Sequence, residues 1–303
     1  MNRHENHQGT FSVVRSRGEV IWTSLCQTTM RSWQPKNKGG TPLSRKAFTL
    51  VELLTVLALL SLVAALLWPA VQQGGRHAKA IACQGQLRQW GVGFSLFVEE
   101  QETSLLNASL TTWDSFWRPY CDRHKELFVC PMATRYEDSP EDLLRKYSAE
   151  AGCVLGDKFK AWKLATHTLS TLERGPLVGS YGVNGCGPSL SDPRVNRGRR
   201  VDRSRVPIFL DRVDFYAQAK ATDEPPEYDG HLTSPGDMKR CCIDRHNGGI
   251  NSLFLDWSVR KVGLKELWTL EWTTWFDQHG PWTRAGGVRP EDWPAWMRGS
   301  KDY

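Results

Sequence analysis

Three sets of residues have types and spacings suited to chemistry. The first is a lone carboxylate, Glu52, at the start of an apolar run. The nineteen residues from Leu53 to Val71 carry no charge. An acid inside such a run is costly in lipid and so points to a partner charge, unless it lies at headgroup depth and needs none. The second set is His246 with Asp244 and Asp256, which have the types for a metal or acid–base cluster. The preferred reading of these residues is structural. His246-Asn247-Gly248-Gly249 makes a tight turn entering a strand, and Asp256 opens a hairpin turn, where His and Asp side chains bond the backbone. The third set is eight cysteines, at positions 26, 83, 121, 130, 153, 186, 241 and 242. Cys121 and Cys130 are spaced for a local bridge, and Cys83 can reach the head. No C-x-x-C occurs, so a zinc ribbon is not expected. Cys241-Cys242 reads as ordinary turn sulfur rather than a redox pair. G-x-S-x-G, H-E-x-x-H and G-x-x-x-x-G-K-[ST] are all missing. The sequence therefore predicts no catalytic constellation, no metal site and no cofactor, and the chain is not expected to be an enzyme.

The elements that must position these residues begin with the apolar run. From Phe48 to Val71 it holds 24 residues, and a helix needs about 20 to cross the hydrocarbon core. It has no polar face, as a buried core helix would. A cleavable secretory signal fits poorly, because such apolar regions run to about 7–15 residues and end in a small-residue site. Eight of the 39 Lys and Arg but only two of the 33 acids precede Phe48, so residues 1–47 carry the whole net charge of +6. The remaining 31 bases and 31 acids cancel. The basic flank predicts a cytoplasmic N-terminus and a head outside the cytoplasm. The neutral body offers no field for nucleic acid, and none is expected as a partner.

The residues Lys46-Ala47-Phe48-Thr49-Leu50-Val51-Glu52-Leu53-Leu54 resemble the cleavage and methylation motif of type IV prepilins. The resemblance implies a cut between Ala47 and Phe48 by a prepilin peptidase, methylation of Phe48, and a role for Glu52 in assembly. The neighbouring subunit's free amine at Phe48 would be its partner charge. Pro69 stands where many pilins carry a helix-bending proline. Ala47 departs from the pattern, which has Gly there. After the cut, seven cysteines would stay, an odd number. Further along, Arg245 to Asp256 resembles the H-x9-DG signature of a pseudopilin-like subgroup of planctomycete-type bacteria, through His246 and Asp256. Trp257 replaces the expected Gly. Cys83 with Leu87-Arg88-Gln89, Cys130-Pro131 and Ser180-Tyr181-Gly182-Val183-Asn184 echo the same subgroup. Some pseudopilins hold calcium in the head. Asp211, Asp214 and Asp229 would be its oxygen donors, although their spacing matches no loop motif.

The expected fold is α+β and pilin-like, with a long N-terminal helix, half membrane and half amphipathic, packed on a small antiparallel sheet. Residues 1–47 read as a disordered basic leader, with Met30 as another start. Residues 48–71 read as the transmembrane helix and 72–101 as an amphipathic helix. Residues 102–263 are the head, and 264–303 a Trp-rich extension. Cys83, Leu87, Trp90, Phe94 and Phe97 make a heptad-like stripe, and Pro69 with Gly74-Gly75 suggests a bend. Asp138-Ser139-Pro140 reads as a helix start, Ser191 to Arg200 as a charged loop, and Asp223 to Glu227 as an exposed linker. Val206 to Leu210 is a strand, and 250–255 with 258–262 a hairpin turning at Asp256-Trp257. Trp268, Trp272 and Trp275 are spaced for a helix face. The function implied is a structural subunit of a type II secretion or type IV pilus-like system. It would sit single-pass in a bacterial inner membrane with a periplasmic head, or in a cell-surface filament, in contact with membrane lipid and other pilin-like subunits. A membrane-anchored extracytoplasmic binding protein that never assembles is the alternative, supported by Ala47. A tethered enzyme using His246 and Asp256 is the third reading.

Overall fold

The computed structural model describes residues 48–100, 123–133, 147–148, 153–164, 177–185, 202–232, 236–273 and 275–303. The leader, Ala47, Cys121, Cys186, the helix start at Asp138 and the charged loop at Ser191 lie outside them. The chain divides into two compact units, Met1–Val56 and Leu57–Tyr303. The fold is α+β, with one long helix preceding a small, mainly antiparallel sheet region.

Helix α1 (Leu50–Glu100) starts from a local cap. Thr49 N–H and Oγ1–H both donate to Glu52 Oε2 at 2.9 Å, and Glu52 N–H donates back to Thr49 Oγ1 at 3.2 Å. This reciprocal capping box fixes the first turn, where four amides lack helical partners. In the second unit the helix continues through a Leu- and Ala-rich run. Ser61 hides its hydroxyl by donating to Ala58 O, as a polar group in lipid must. All the large apolar side chains from Phe48 to Val71 are exposed, and an 18-residue window here has a mean hydropathy of 2.6. Among the described residues this is the one helix long and apolar enough to cross a membrane. The helical backbone runs unbroken through Pro69.

Beyond Arg76 the helix buries one face. Cys83, Leu87, Trp90 and Phe94, at steps of four, three and four, are fully buried, as one stripe of a 3.6-residue period should be. They pack on a sheet of five strands: β5 (Tyr181–Asn184), β6 (Pro207–Asp211), β7 (Tyr216–Ala217), β8 (Gly249–Phe254) and β9 (Val259–Gly263). Its order is β7-β5-β6-β8-β9, antiparallel except for the parallel edge pair β5–β7. Trp90 and Phe94 meet Phe209 edge-on at 5.7 and 5.8 Å, and Trp90 meets Phe128 at 5.8 Å. Such pairs contribute about 0.5–1.5 kcal/mol each beyond burial. Four short strands, β1 (Tyr147–Ser148), β2 (Cys153–Val154), β3 (Trp162–Leu164) and β4 (Leu177–Gly179), form a second antiparallel sheet.

The other face of the five-stranded sheet is covered too. Alternate residues of β8 divide between two cores, as a period of two requires. Leu253 joins the α1 core, while Ile250 and Phe254 join one built with Leu267, Trp268, Trp272, Phe276, Trp293 and Met297. The Trp-rich segment thus supplies the core of the head's second face. It is not a helix face. A 3₁₀ turn, Lys265–Thr269, ends at an extended Leu270, Glu271 N–H bonds Arg205 O, and Trp275 is 72% exposed while Trp272 is buried. The expected linker at Asp223 to Glu227 is likewise built in. Asp223 accepts amides of Lys220, Asp237 and Met238, and Pro226 O accepts Trp296 Nε1–H.

The β8–β9 hairpin turns through Leu255, Asp256 and Trp257 rather than through two residues. Trp257 N–H donates to Phe254 O, Phe254 N–H donates to Ser258 O, and Trp257 takes φ 67°. That is a turn followed by a left-handed residue, the usual three-residue hairpin loop. The tight two-residue turn expected at Asp256-Trp257 is replaced because this longer loop needs only one left-handed position.

Candidate functional site

Four separated segments bring side chains to one buried point. Helix α1 supplies Cys83 from its inward stripe. The chain after a 3₁₀ turn at Lys125–Phe128 supplies Cys130, whose carbonyl accepts Ala133 N–H at 2.8 Å. Asp211 ends β6. His246 lies in the turn before β8, where Asn247 and Gly248 take φ 55° and 88°. Both central residues are left-handed there, which suits Asn-Gly and sets the ring at the strand's entrance. Gly248 N–H is bound by Asp244 Oδ1.

Asp211 is the hub. Its Oδ1 accepts Arg245 Nη1–H at 3.0 Å, and its Oδ2 accepts Asn251 N–H at 2.9 Å and faces His246 Nε2 at 3.0 Å. Cys83 Sγ is 3.7 Å from Oδ2, and Cys130 Sγ is 3.5 Å from His246 Nε2. Tyr181 O–H reaches Cys83 Sγ at 3.2 Å and Gln86 Oε1 at 2.7 Å, and Met132 N–H reaches Cys130 Sγ at 3.4 Å. Arg245 is fully buried, with its remaining donors on the carbonyls of Lys158, Ser180, Asp157 and Arg212. Among the described residues His246 Nδ1 is a buried nitrogen without a hydrogen-bond partner, so the ring is anchored through Nε2.

The electrostatics follow from this crowding. Burial pushes the Asp211 carboxyl up, but His246 and Arg245 outweigh it and hold it below the usual range. Burial pushes His246 down, and the Asp211 charge more than reverses it. Burial raises the Cys83 thiol, and neighbouring Cys130 and Asp211 raise it further. The Cys130 thiol, also opposed by burial, is lowered by hydrogen bonding to Cys83 and His246 and by the Arg245 charge.

Cys83, Cys130, Asp211 and His246 each offer one ligand atom, and all four atoms lie within 4.8 Å of one another. Cys130 is a free thiol beside Cys83 and His246, so the local bridge to Cys121 is not formed. Cys241 and Cys242 are free and buried in the second core, with burial pushing the Cys241 thiol up to about 12. The less favoured grouping of His246 with Asp244 and Asp256 into a metal or acid–base cluster does not form. Asp244 binds Lys158 and Gly248 N–H. Asp256 is exposed at the far end of β8, where its carboxylate accepts the amide and hydroxyl of Ser258. Asp211, Asp214 and Asp229 answer to different cations: Arg245, Arg212 with Arg240, and Lys158. In the sequence Asp211 stands only as an oxygen donor beside Asp214 and Asp229, and Arg245 only as the start of the His246 signature; the pairing of Asp211 with Arg245 and His246 was missed. Cys83, Cys130 and Tyr181 carried a signal, because the echoes that contain them converge here.

The processing segment is a second, separate site. Phe48 is 73% exposed, and Glu52 spends Oε2 on Thr49.

A long apolar helix capped by Thr49, ahead of an α+β head, fits a pilin-like fold. Residues 43–68 match the model of the prokaryotic N-terminal methylation motif. That match supports a type IV pilin-like or pseudopilin-like protein. No curated protein and no solved structure matches the chain.

Proposed function

We propose that this chain is a structural subunit of a type II secretion or type IV pilus-like assembly. A prepilin peptidase cuts it between Ala47 and Phe48, Phe48 is methylated, and the apolar half of α1 packs among other pilin-like subunits. Before assembly it rests single-pass in the inner membrane, with the leader cytoplasmic and the head periplasmic. The methylation motif over residues 43–68, leading into an exposed membrane-length helix with one carboxylate, carries this reading. In lipid, Glu52 seeks a cation, and the new amine of a neighbouring Phe48 supplies one. His246 and Asp256 serve the fold rather than catalysis, and Pro69 sets a bend in the span.

The Thr49–Glu52 capping box sharpens the experiment. Gln at position 52 keeps the box but removes the charge. The Glu52→Gln chain should insert and be cut normally, yet its yield in sedimentable filaments should fall at least about tenfold, since a charge–charge contact in lipid contributes more than the about 1.4 kcal/mol that tenfold represents. Undiminished assembly of Glu52→Gln would sink the subunit reading. Ala47, where this motif usually has Gly, supports the alternative of a tethered binding protein. Intact mass of the membrane-extracted chain decides: loss of residues 1–47 favours the subunit, and their retention favours the tether.

A further inference from the structure

We propose that Cys83, Cys130, Asp211 and His246 form a closed tetrahedral site for one zinc(II) ion that ties the helix α1 to the head sheet. The proposal goes beyond the assembly reading and stands whether or not the chain forms filaments.

Two soft sulfurs, one imidazole nitrogen and one carboxylate oxygen are a donor set that tetrahedral zinc accepts. With metal–sulfur bonds of about 2.3 Å and metal–nitrogen or metal–oxygen bonds of about 2.0–2.1 Å, the edges of such a tetrahedron come to about 3.3–3.8 Å. Of the six edges, Cys130 Sγ to His246 Nε2 is 3.5 Å and Cys83 Sγ to Asp211 Oδ2 is 3.7 Å, and none exceeds 4.8 Å. The His246 Nε2 to Asp211 Oδ2 edge, 3.0 Å, is that of a direct hydrogen bond, and entry of the ion opens it by a few tenths of an ångström. His246 turns its Nε2 lone-pair direction to the cluster rather than to solvent, and Asp211 Oδ2 keeps a second lone pair beside the one that takes Asn251 N–H.

The surroundings suit a metal as well as the ligands do. Met132 N–H points at Cys130 Sγ, and the Tyr181 hydroxyl lies 3.2 Å from Cys83 Sγ with its one proton between that sulfur and Gln86 Oε1 at 2.7 Å. Donors aimed at sulfur are the outer partners that thiolate ligands need. Zinc with two thiolates, one carboxylate and a neutral imidazole carries one net negative charge. Arg245 on Asp211 Oδ1 brings the buried group to neutrality. Binding releases to solvent the protons that the two thiols and the His246 ring hold, with no change of oxidation state. Cys83, Cys130 and Asp211 are inaccessible and His246 is 5% exposed. With four protein ligands and no open position, the site is structural rather than catalytic.

The test uses the full chain in detergent, reduced and stripped with chelator, its thiols counted, then titrated with cobalt(II) and zinc(II). The expected result is one cobalt per chain, with thiolate charge-transfer absorption and the intense visible bands of tetrahedral cobalt, displaced by zinc. Zinc should also raise the thermal midpoint of the head. Cys130→Ser should weaken uptake by at least about 100-fold, since even an outer partner is worth 10–100-fold. Cys241→Ser with Cys242→Ser should leave uptake intact. A reduced wild-type chain that takes up no cobalt, or binds it with an octahedral spectrum, overturns the proposal. So does a Cys83–Cys130 disulfide in chain extracted from membranes without reductant. Because the wild-type titration decides these outcomes, a variant that fails to fold does not blunt them.

Discussion

The processing segment and the buried cluster handle their residues in opposite ways. From Ala47 to Val71 the residues are consecutive, the side chains from Phe48 on are exposed, and the chemistry proposed for them is done by other molecules. At Cys83, Cys130, Asp211 and His246 the residues come from four distant segments, are buried, and act on one another. In the first region the fold contributes one capped helical turn. In the second it contributes everything, since no two of those four groups are neighbours in the chain. A contiguous site can be read by an outside enzyme before folding, whereas a convergent site exists only once the head has closed.

Several experiments would break or sharpen that contrast. The largest effect should come from Arg245→Ala. It takes the guanidinium partner from Asp211 Oδ1 and a donor from each of four carbonyls in the interior, and breaking a buried ion pair in this way costs about 3–5 kcal/mol. Chemical denaturation followed by Trp fluorescence should show the head largely unfolded. A loss under about 1 kcal/mol would mean the cluster is decoration. Trp90→Ala should come next at about 3–5 kcal/mol, because its ring is fully buried between Phe128 and Phe209. Leu60→Ala, in the exposed run, should leave head stability within about 0.5 kcal/mol. If both reduce it equally, the two regions are not energetically distinct. The smallest effect belongs to Trp257→Gly. Relief of a left-handed φ is worth about 1–2 kcal/mol, and it offsets lost contact between the half-buried Trp257 and the α1 core. The melting midpoint should therefore move by the equivalent of about 1 kcal/mol or less, and a loss well above that would show packing dominates.

Legibility followed the same divide. The long helix, its buried stripe, the strand read at Val206 to Leu210 and found at Pro207–Asp211, and the β8–β9 hairpin could be read locally, because helix and strand periods are properties of short windows. The prepilin-like segment was legible because its chemistry is linear. The Trp-rich segment was misread as a helix face, since the spacing of Trp268, Trp272 and Trp275 has that period while the backbone turns outward at Leu270. Asp223 to Glu227 looked solvated by composition, yet its carboxylate and prolines anchor the segment beneath the C-terminal chain. His246 was assigned to a turn, which it occupies, but its ring meets Asp211, 35 positions earlier. No window contains that pairing, and Asp211 has no distinguishing neighbours.

Strand β8, between β6 and the edge strand β9, has both faces buried, one against α1 and the other against the tryptophans of the C-terminal segment. Neither layer can open without stripping a face of the same strand. The head beyond the membrane helix should then lose structure in one cooperative step rather than layer by layer. Amide exchange along Ile250 to Phe254 should share a single opening free energy with Val262 and Phe209. A head pulled by its helix would transmit that load through β8 to the C-terminal segment, so it would resist as one body until it yields as one.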